Sequence, residues 1–218
     1  MKKILLAGAV ALFGLSNAQI AKGTTYLSGS VGYSQVESNN GNDKKENFNV
    51  LPTVGYFVNT NLAVGLGIGY QTEKNTVSTT TTLGNTTIVN ENVTKTPAFV
   101  VAPFVRKYWT LSDKLYFFGQ LAVPMQFGKT EVESSSVATT GNTVVSNSTS
   151  TEAKYTKIGV TVKPGLDYFL NKNWSIEATI GEFGYSNYKP KDGDATNNYN
   201  FGLNLSSVTF GVKYVFAK

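Results

Sequence analysis

Between Leu62 and Gln71 the chain reads as two sequences laid over each other. Leu62, Val64, Leu66, Ile68 and Tyr70 share one parity, and Ala63, Gly65, Gly67, Gly69 and Gln71 share the other. Successive side chains of a strand point to opposite faces, so this segment, as a strand, is greasy on one side and small or polar on the other. One such strand fits a soluble barrel as well. The constraint comes from its recurrence along the chain, with no apolar run left over to fill a separate core.

Eight strands are predicted, near 24–36, 47–58, 62–74, 95–109, 114–130, 153–170, 173–187 and 199–216. Leu27, Val31 and Tyr33 face out of the first, opposite Ser28, Ser30 and Ser34; Val50, Val54 and Tyr56 face out of the second. Leu115, Phe117, Leu121, Val123, Met125 and Phe127 do so in the fifth. In the sixth, Ile158, Val160, Val162, Leu166 and Tyr168 alternate with Lys157, Gly159, Thr161, Lys163 and Asp167. Val208, Phe210, Val212, Tyr214 and Phe216 face out of the eighth, and the opposite parity of Leu203 and Leu205 predicts a bulge near Ser206-Ser207. The fourth strand is apolar on both parities and carries Pro97 and Pro103. Arg106 is placed inside, because an arginine in hydrocarbon is expensive.

The first 18 residues read as a secretory signal: Lys2 and Lys3, an apolar stretch from Ile4 to Leu15, and the small-residue site Ser16-Asn17-Ala18 before Gln19. That stretch is too short to cross a bilayer as a helix, which takes about 20 residues. The expected division is therefore a signal over 1–18 and one domain over 19–218. Without Lys2 and Lys3 the 19 basic residues become 17 against 14 acidic, too mild a balance to argue for nucleic acid. With 21 Gly, 12 Tyr and 13 Phe, and no amphipathic helix period after Gln19, the composition is all-β.

The connections alternate in length. Tight turns fall at Asn59-Thr60-Asn61, 110–113 and 171–173, and long polar connections near 37–46, 75–94, 131–152 and 188–198. Aromatic pairs gather beside the short turns: Tyr56-Phe57, Tyr108-Trp109, Tyr116-Phe117 and Tyr168-Phe169, with Trp174, Tyr214 and Phe216. A lipid-facing apolar parity, short turns on one rim and an aromatic girdle there describe a transmembrane β-barrel with its short turns in the periplasm of a Gram-negative cell. The girdle is assigned to Tyr56, Trp109, Phe117, Tyr168, Trp174, Tyr214 and Phe216. The stretches around Leu83-Gly84-Asn85 and Gly141-Asn142 are rich in Thr and Val and almost lack bulky apolar residues. They are predicted to continue as hairpins into water, making strands 3–6 a protruding four-stranded sheet, with flexible loop as the alternative.

These features resemble the small eight-stranded outer-membrane barrels, a group that includes the OmpA transmembrane domain, OmpX and OmpW. The likeness rests on the signal, the alternating strands and the final TFGVKYVF. PFVRKYW (103–109), a short turn and KLYFFGQLAV (114–123) look like the outer-membrane protein β-barrel domain. The resemblance spans 24–216 and implies an up-and-down transmembrane barrel, barrel-assembly machinery as a partner, and contact with outer-membrane lipid and lipopolysaccharide.

The interior parity holds Arg106, Lys157, Lys163, Asp167, Glu177 and Lys213. An eight-stranded barrel is just wide enough for its side chains, and buried charges must pair, so Asp167 and Glu177 are expected to pair with some of Arg106, Lys163 and Lys213 and plug the lumen. The inner wall of Ala63, Gly65, Gly67 and Gly69 leaves room for large side chains from across the barrel, with Arg106 or Lys163 as candidates. The chain has no histidine, so a Ser–His or Asp–His arrangement is excluded and no enzyme is expected. Asp192 and Asp194 lack the later glutamate of a calcium loop, so no metal or cofactor is expected. The first functional reading is a structural or adhesion-type barrel whose hairpins meet surface partners by β-augmentation. The alternatives are a narrow channel for small or hydrophobic solutes of the OmpW kind, with Pro97, Pro103, Pro124 or Pro164 breaking a strand wall, and a soluble secreted ligand-binding barrel.

Overall fold

The computed structural model describes residues 20–202 and 208–216. The expected signal over 1–18, and Leu203, Leu205 and the expected bulge near Ser206-Ser207, lie outside the described residues. The alternation becomes one antiparallel sheet of 12 strands: β1 (Thr25–Ser38), β2 (Asp43–Asn59), β3 (Leu62–Leu83), β4 (Thr86–Lys95), β5 (Ala98–Thr110), β6 (Leu115–Ala122), β7 (Met125–Thr140), β8 (Thr143–Phe169), β9 (Trp174–Ile180), β10 (Glu182–Pro190), β11 (Thr196–Gly202) and β12 (Val208–Phe216). The only helical element among the described residues is a 3-10 turn at Asn39–Gly41.

The sheet closes on itself. Pairing passes from β1 to β2, β3, β5, β6, β8, β9 and β12 and returns to β1. The count of 12 corrects the expected eight, because four expected long strands are divided. Thr96-Pro97 separates β4 from β5 and Val123-Pro124 separates β6 from β7, where proline removes the ladder N–H. Gly181, at φ 74°, separates β9 from β10 in a left-handed conformation that suits glycine. The β11–β12 boundary falls on residues outside the description. Pro103 and Pro164, expected as possible wall breaks, lie within β5 and β8.

The short-turn rim is as expected at 60–61, 111–114 and 170–173. The opposite rim differs. The connection expected near 37–46 is mostly strand: β1 and β2 pair out to Ser38 and Asp43 and turn through Asn39, Asn40 and Gly41, all at positive φ. The connection expected near 188–198 shrinks to 191–195 between β10 and β11.

Inside and outside follow the parity. Leu27, Val54, Leu66, Ile68, Leu121, Val160 and Val212 are 40–54% exposed and form an apolar outer belt. Tyr26, Phe57, Ala63, Phe104, Tyr108, Tyr116, Phe118 and Val215 pack into the interior. On β5 the ambiguity resolves: Ala98, Val100, Ala102, Phe104, Arg106 and Tyr108 point in, and Phe99 and Val105 point out.

Candidate functional site

The interior of the barrel gathers four charges. Asp167 and Glu177 sit directly opposite each other on β8 and β9, an arrangement of like charges that is unfavourable alone. Two cations offset it. Lys213, on the next strand, is fully buried, pairs with Asp167 and lies 3.5 Å from Glu177. Arg106 reaches from β5 and donates from Nη1 to Glu177 Oε1 at 2.6 Å and to the Tyr108 hydroxyl at 3.1 Å. Its Nε donates to Gln120 Oε1 at 2.8 Å on the adjacent strand. The cluster is formally neutral, and its cations lie on aromatic faces. The Arg106 guanidinium is 4.3 Å from the Phe118 ring centre, and Lys213 Nζ is 4.9 Å from those of Tyr108 and Phe169.

Toward the short-turn rim an aromatic layer lies against this cluster. Ring centres run from Tyr26 to Phe57 (5.7 Å), to Tyr108 (5.5 Å), to Tyr116 (6.3 Å), and on to Phe169 (5.4 Å). Several of these rings are the strand neighbours of residues assigned to the girdle. Adjacent residues of a strand face opposite ways, so of each rim pair one ring faces lipid and the other fills the lumen. Tyr56, Phe117, Tyr168, Trp174 and Phe216 are 37–50% exposed, whereas Phe57, Tyr108 and Tyr116 are buried. Trp109 stacks on Phe117 at 5.5 Å, and Tyr214 contacts Trp174 at 4.9 Å and Phe216 at 5.0 Å, all on the outside.

The remaining predicted lumen residues form no ion pair with this cluster, although Lys163 lines a polar cavity together with Arg106, Gln120 and Glu177. Lys163 pairs at 2.8 Å with Glu182, a partner the sequence did not single out, and both are 37% exposed. Lys157 lines a polar recess with Gln126, Thr161, Glu182, Asn198 and Asn200, away from the buried cluster.

The glycine wall is filled differently from the expectation. Neither Arg106 nor Lys163 occupies it. On that wall the Phe104 ring lies over Gly65 and Leu51 approaches Gly67 and Gly69; elsewhere inward rings likewise lie over the glycine across the ladder, Tyr26 over Gly55, Phe118 over Gly165 and Tyr155 over Gly128. A Cβ at Gly65 would overlap the Phe104 ring, and one at Gly165 the Phe118 ring. Glycine lets each ring lie flat on the wall, and the ring covers backbone that glycine leaves bare.

Beyond the belt, β3 and β4 pair from Lys74–Lys95 to Leu83–Thr86, β4 pairs with the outer half of β7, and β7 pairs with β8 up to Thr140–Thr143. The resulting order is β3-β4-β7-β8, with tips at Gly84 and Gly141, both in the left-handed region (φ 58° and 57°). Residues 143–154 of β8 are exposed throughout, and 143–153 pair only with β7; the Lys154 carbonyl accepts the Lys191 amide, and pairing with β10 begins at Tyr155. Ion pairs lace the base of this sheet. Lys129 contacts Glu131 at 2.5 Å and Glu152 at 2.9 Å, and its hydrogen bond to Glu131 holds that carboxyl below the usual range. Lys44 does the same for Glu46.

The family model for the outer membrane protein beta-barrel domain matches residues 5–216. No curated protein sequence matches the chain. Among solved structures, the N-terminal β-barrel domain of Pseudomonas aeruginosa OprF is similar at 9% identity and a TM-score of 0.40, over 90% of this chain and 100% of that one. Ail, the attachment invasion locus protein of Yersinia pestis, is similar at 14% identity and a TM-score of 0.34, over 89% of this chain and 99% of that one. The translocator domain of the autotransporter NalP from Neisseria meningitidis gives 10% identity and a TM-score of 0.26, over 98% and 94%.

Proposed function

Because the chain belongs to the outer membrane protein beta-barrel domain family, we propose that it is an eight-span outer-membrane barrel with a plugged lumen, acting at the cell surface through its threonine-rich hairpins. The eight spans are the eight members of the closed ring of pairings, with β4, β7, β10 and β11 as their continuations above it. Export by the segment 1–18 and insertion by the barrel-assembly machinery belong to this reading.

The observation that carries it is the contrast between the two ends. Within the membrane the Arg106–Glu177–Lys213–Asp167 cluster and the buried rings beside it occupy the interior, which supports a plugged lumen. Above the membrane a sheet protrudes whose β8 edge leaves backbone N–H and C=O groups unpaired over 143–153. Such an edge accepts a partner strand through main-chain hydrogen bonds with little demand on the partner's sequence. Removing the outer parts of both hairpins, within 75–94 and 131–152, should abolish binding to surface partners while the barrel keeps its folded mobility in gels. Unchanged binding overturns the reading.

A second reading, a narrow channel for small or hydrophobic solutes, is favoured by one feature. The β1–β12 ladder stops at Gly29 with Val212, although β1 continues to Ser38. There a polar cavity reaching Arg106 and Glu177 and an outer apolar groove of about 610 Å³ share Ser28, Gly29, Ser30, Phe210 and Gly211. Entry of solutes into proteoliposomes through the purified barrel, lost on cross-linking this seam, would favour the channel over the plug.

A further inference from the structure

Resting on the surface reading above, we propose that the free edge of β8 pairs antiparallel with the same edge of a second copy of this chain, held in a facing membrane.

The strand decides which atoms it offers. On β8 the Lys154 carbonyl accepts the Lys191 amide on the β10 side, and the Gly159 amide donates to the Pro124 carbonyl on the β7 side. The N–H and C=O of one strand residue point to the same side, and the side reverses at the next residue. The ladder to β7 keeps its register without a shift from Ile158 to Thr143. Val144, Ser146, Ser148, Ser150 and Glu152 therefore share the direction of Lys154, and each presents a donor and an acceptor at the free edge.

The free run 143–153 has its midpoint at Ser148, one of these residues. Antiparallel pairing about that point sets Ser148 against Ser148, Ser146 against Ser150 and Val144 against Glu152. It satisfies these groups with about ten hydrogen bonds. A partner shifted toward the base meets β10, whose pairing begins at Tyr155, and one shifted toward the tip leaves groups unpaired. Glu152, the only charge in 143–153, then lies opposite Val144 and far from its own copy, with Lys129 beside it at 2.9 Å. Ser146 with Ser150 and Asn147 with Thr149 make small polar cross-strand pairs.

Exposed edges are ordinarily blunted by lysine, by proline or by a covering segment. The opposite edge of the protruding sheet is covered: β2, with Lys44 and Lys45, lies along β3, and the Ser78 amide donates to the Asn42 carbonyl at 2.7 Å. Residues 143–153 hold no lysine, proline or glycine. Direction places the partner. In one membrane every β8 descends from tip to rim, so an antiparallel pair needs barrels in two membranes that face each other. Ser148 stands about 33 Å along the strand from Ile158 in the apolar belt, which holds the two belts within about 66 Å. Single pairs are weak, and many between two apposed surfaces act together.

The test uses the full refolded barrel in vesicles carrying one of two fluorophores, with heat-dependent gel mobility reporting that each variant is folded. Cross-correlation of the two colours should rise on the order of tenfold over protein-free vesicles. S148K vesicles should not join one another, nor should S148E vesicles, because like charges then stand directly opposite. S148K mixed with S148E should recover joining, and T82K, near the tip of β3, should leave it intact. The chain has no cysteine, so N147C mixed with T149C should cross-link readily and N147C with itself poorly. Joining of S148K vesicles, no recovery in the mixture, or equal cross-linking in both cysteine experiments overturns the pairing. Energy transfer between copies within one vesicle, in place of joining, overturns the facing-membrane arrangement. Wild-type vesicles that stay apart overturn self-pairing alone; binding to other surface partners, and its loss on hairpin removal, is read separately and decides the surface reading.

Discussion

Arg106 on β5 and Glu177 on β9 bond across the barrel interior at 2.6 Å, although their strands do not pair with each other. Both are buried, at 5% and 7% exposure, so the contact joins opposite walls in a space with little water to replace either partner. Neutralising one member strands the other. Arg106→Gln or Glu177→Gln alone should destabilise the barrel by about 3–5 kcal/mol. The double variant R106M/E177L should recover part of that loss, because an apolar pair leaves no uncompensated charge. Urea unfolding in lipid vesicles, followed by tryptophan fluorescence, measures it. Additive losses in the double variant would contradict the coupling.

The rings over glycines are tested by adding one methyl group. Gly65→Ala must displace both the Phe104 ring and the Val54 carbonyl, and Gly165→Ala both the Phe118 ring and the Ala178 carbonyl. Each should cost about 1–3 kcal/mol, as overpacking does. Gly67→Ala, on the same inner wall, meets its nearest atom at 3.4 Å and should be nearly neutral. The same urea titration, run on the three variants, checks the contrast.

The chain's 2 tryptophans, Trp109 and Trp174, both face outward at the short-turn rim. Brominated lipids should therefore quench fluorescence more strongly with bromine near the headgroup than at mid-chain, since such rings sit at headgroup depth. Equal quenching at both depths would move the rim out of the interface.

The sheet base should respond to pH at its extremes alone. Lys129 holds the Glu131 carboxyl below its ordinary range, and Glu131 in turn holds Lys129 above its own. A lowered carboxyl stabilises above its unfolded pKa, about 4.3, and the contribution fades as pH falls through the folded value. A raised lysine stabilises below its unfolded pKa, about 10.4, and fades as pH rises through the folded one. Amide protection near 129–131, corrected for intrinsic exchange, should be flat between those limits and fall outside them. Glu131→Gln should remove the acid-side fall.

Alternation put Arg106, Asp167, Glu177 and Lys213 inside, because a strand offers each side chain only two directions. It could not name partners: Arg106 and Glu177 are 71 residues apart on strands that never share a ladder. The same alternation that turns Trp109 outward sends its neighbour Tyr108 into the interior. The glycine wall was legible as a space, but its occupants depend on register, which hairpin closure and not composition decides. Pro97 and Pro124 mark strand breaks, while Pro103 and Pro164 sit within ladders opposite Leu66 and Gly119.

β8 runs unbroken for 27 residues, about 90 Å at 3.3 Å per residue, from the hairpin tip to the rim beside Trp174. β3 is likewise continuous, while the two inner strands of the protruding sheet, β4 and β7, are cut from the wall at Pro97 and Pro124. The sheet is thus cantilevered on its two outer rails. A pull on the tip travels down β3 to Gly65 and down β8 to Asp167, and loads the wall and the buried ion pairs directly. Tension applied at the tip would be borne by the closed ring of strands below it.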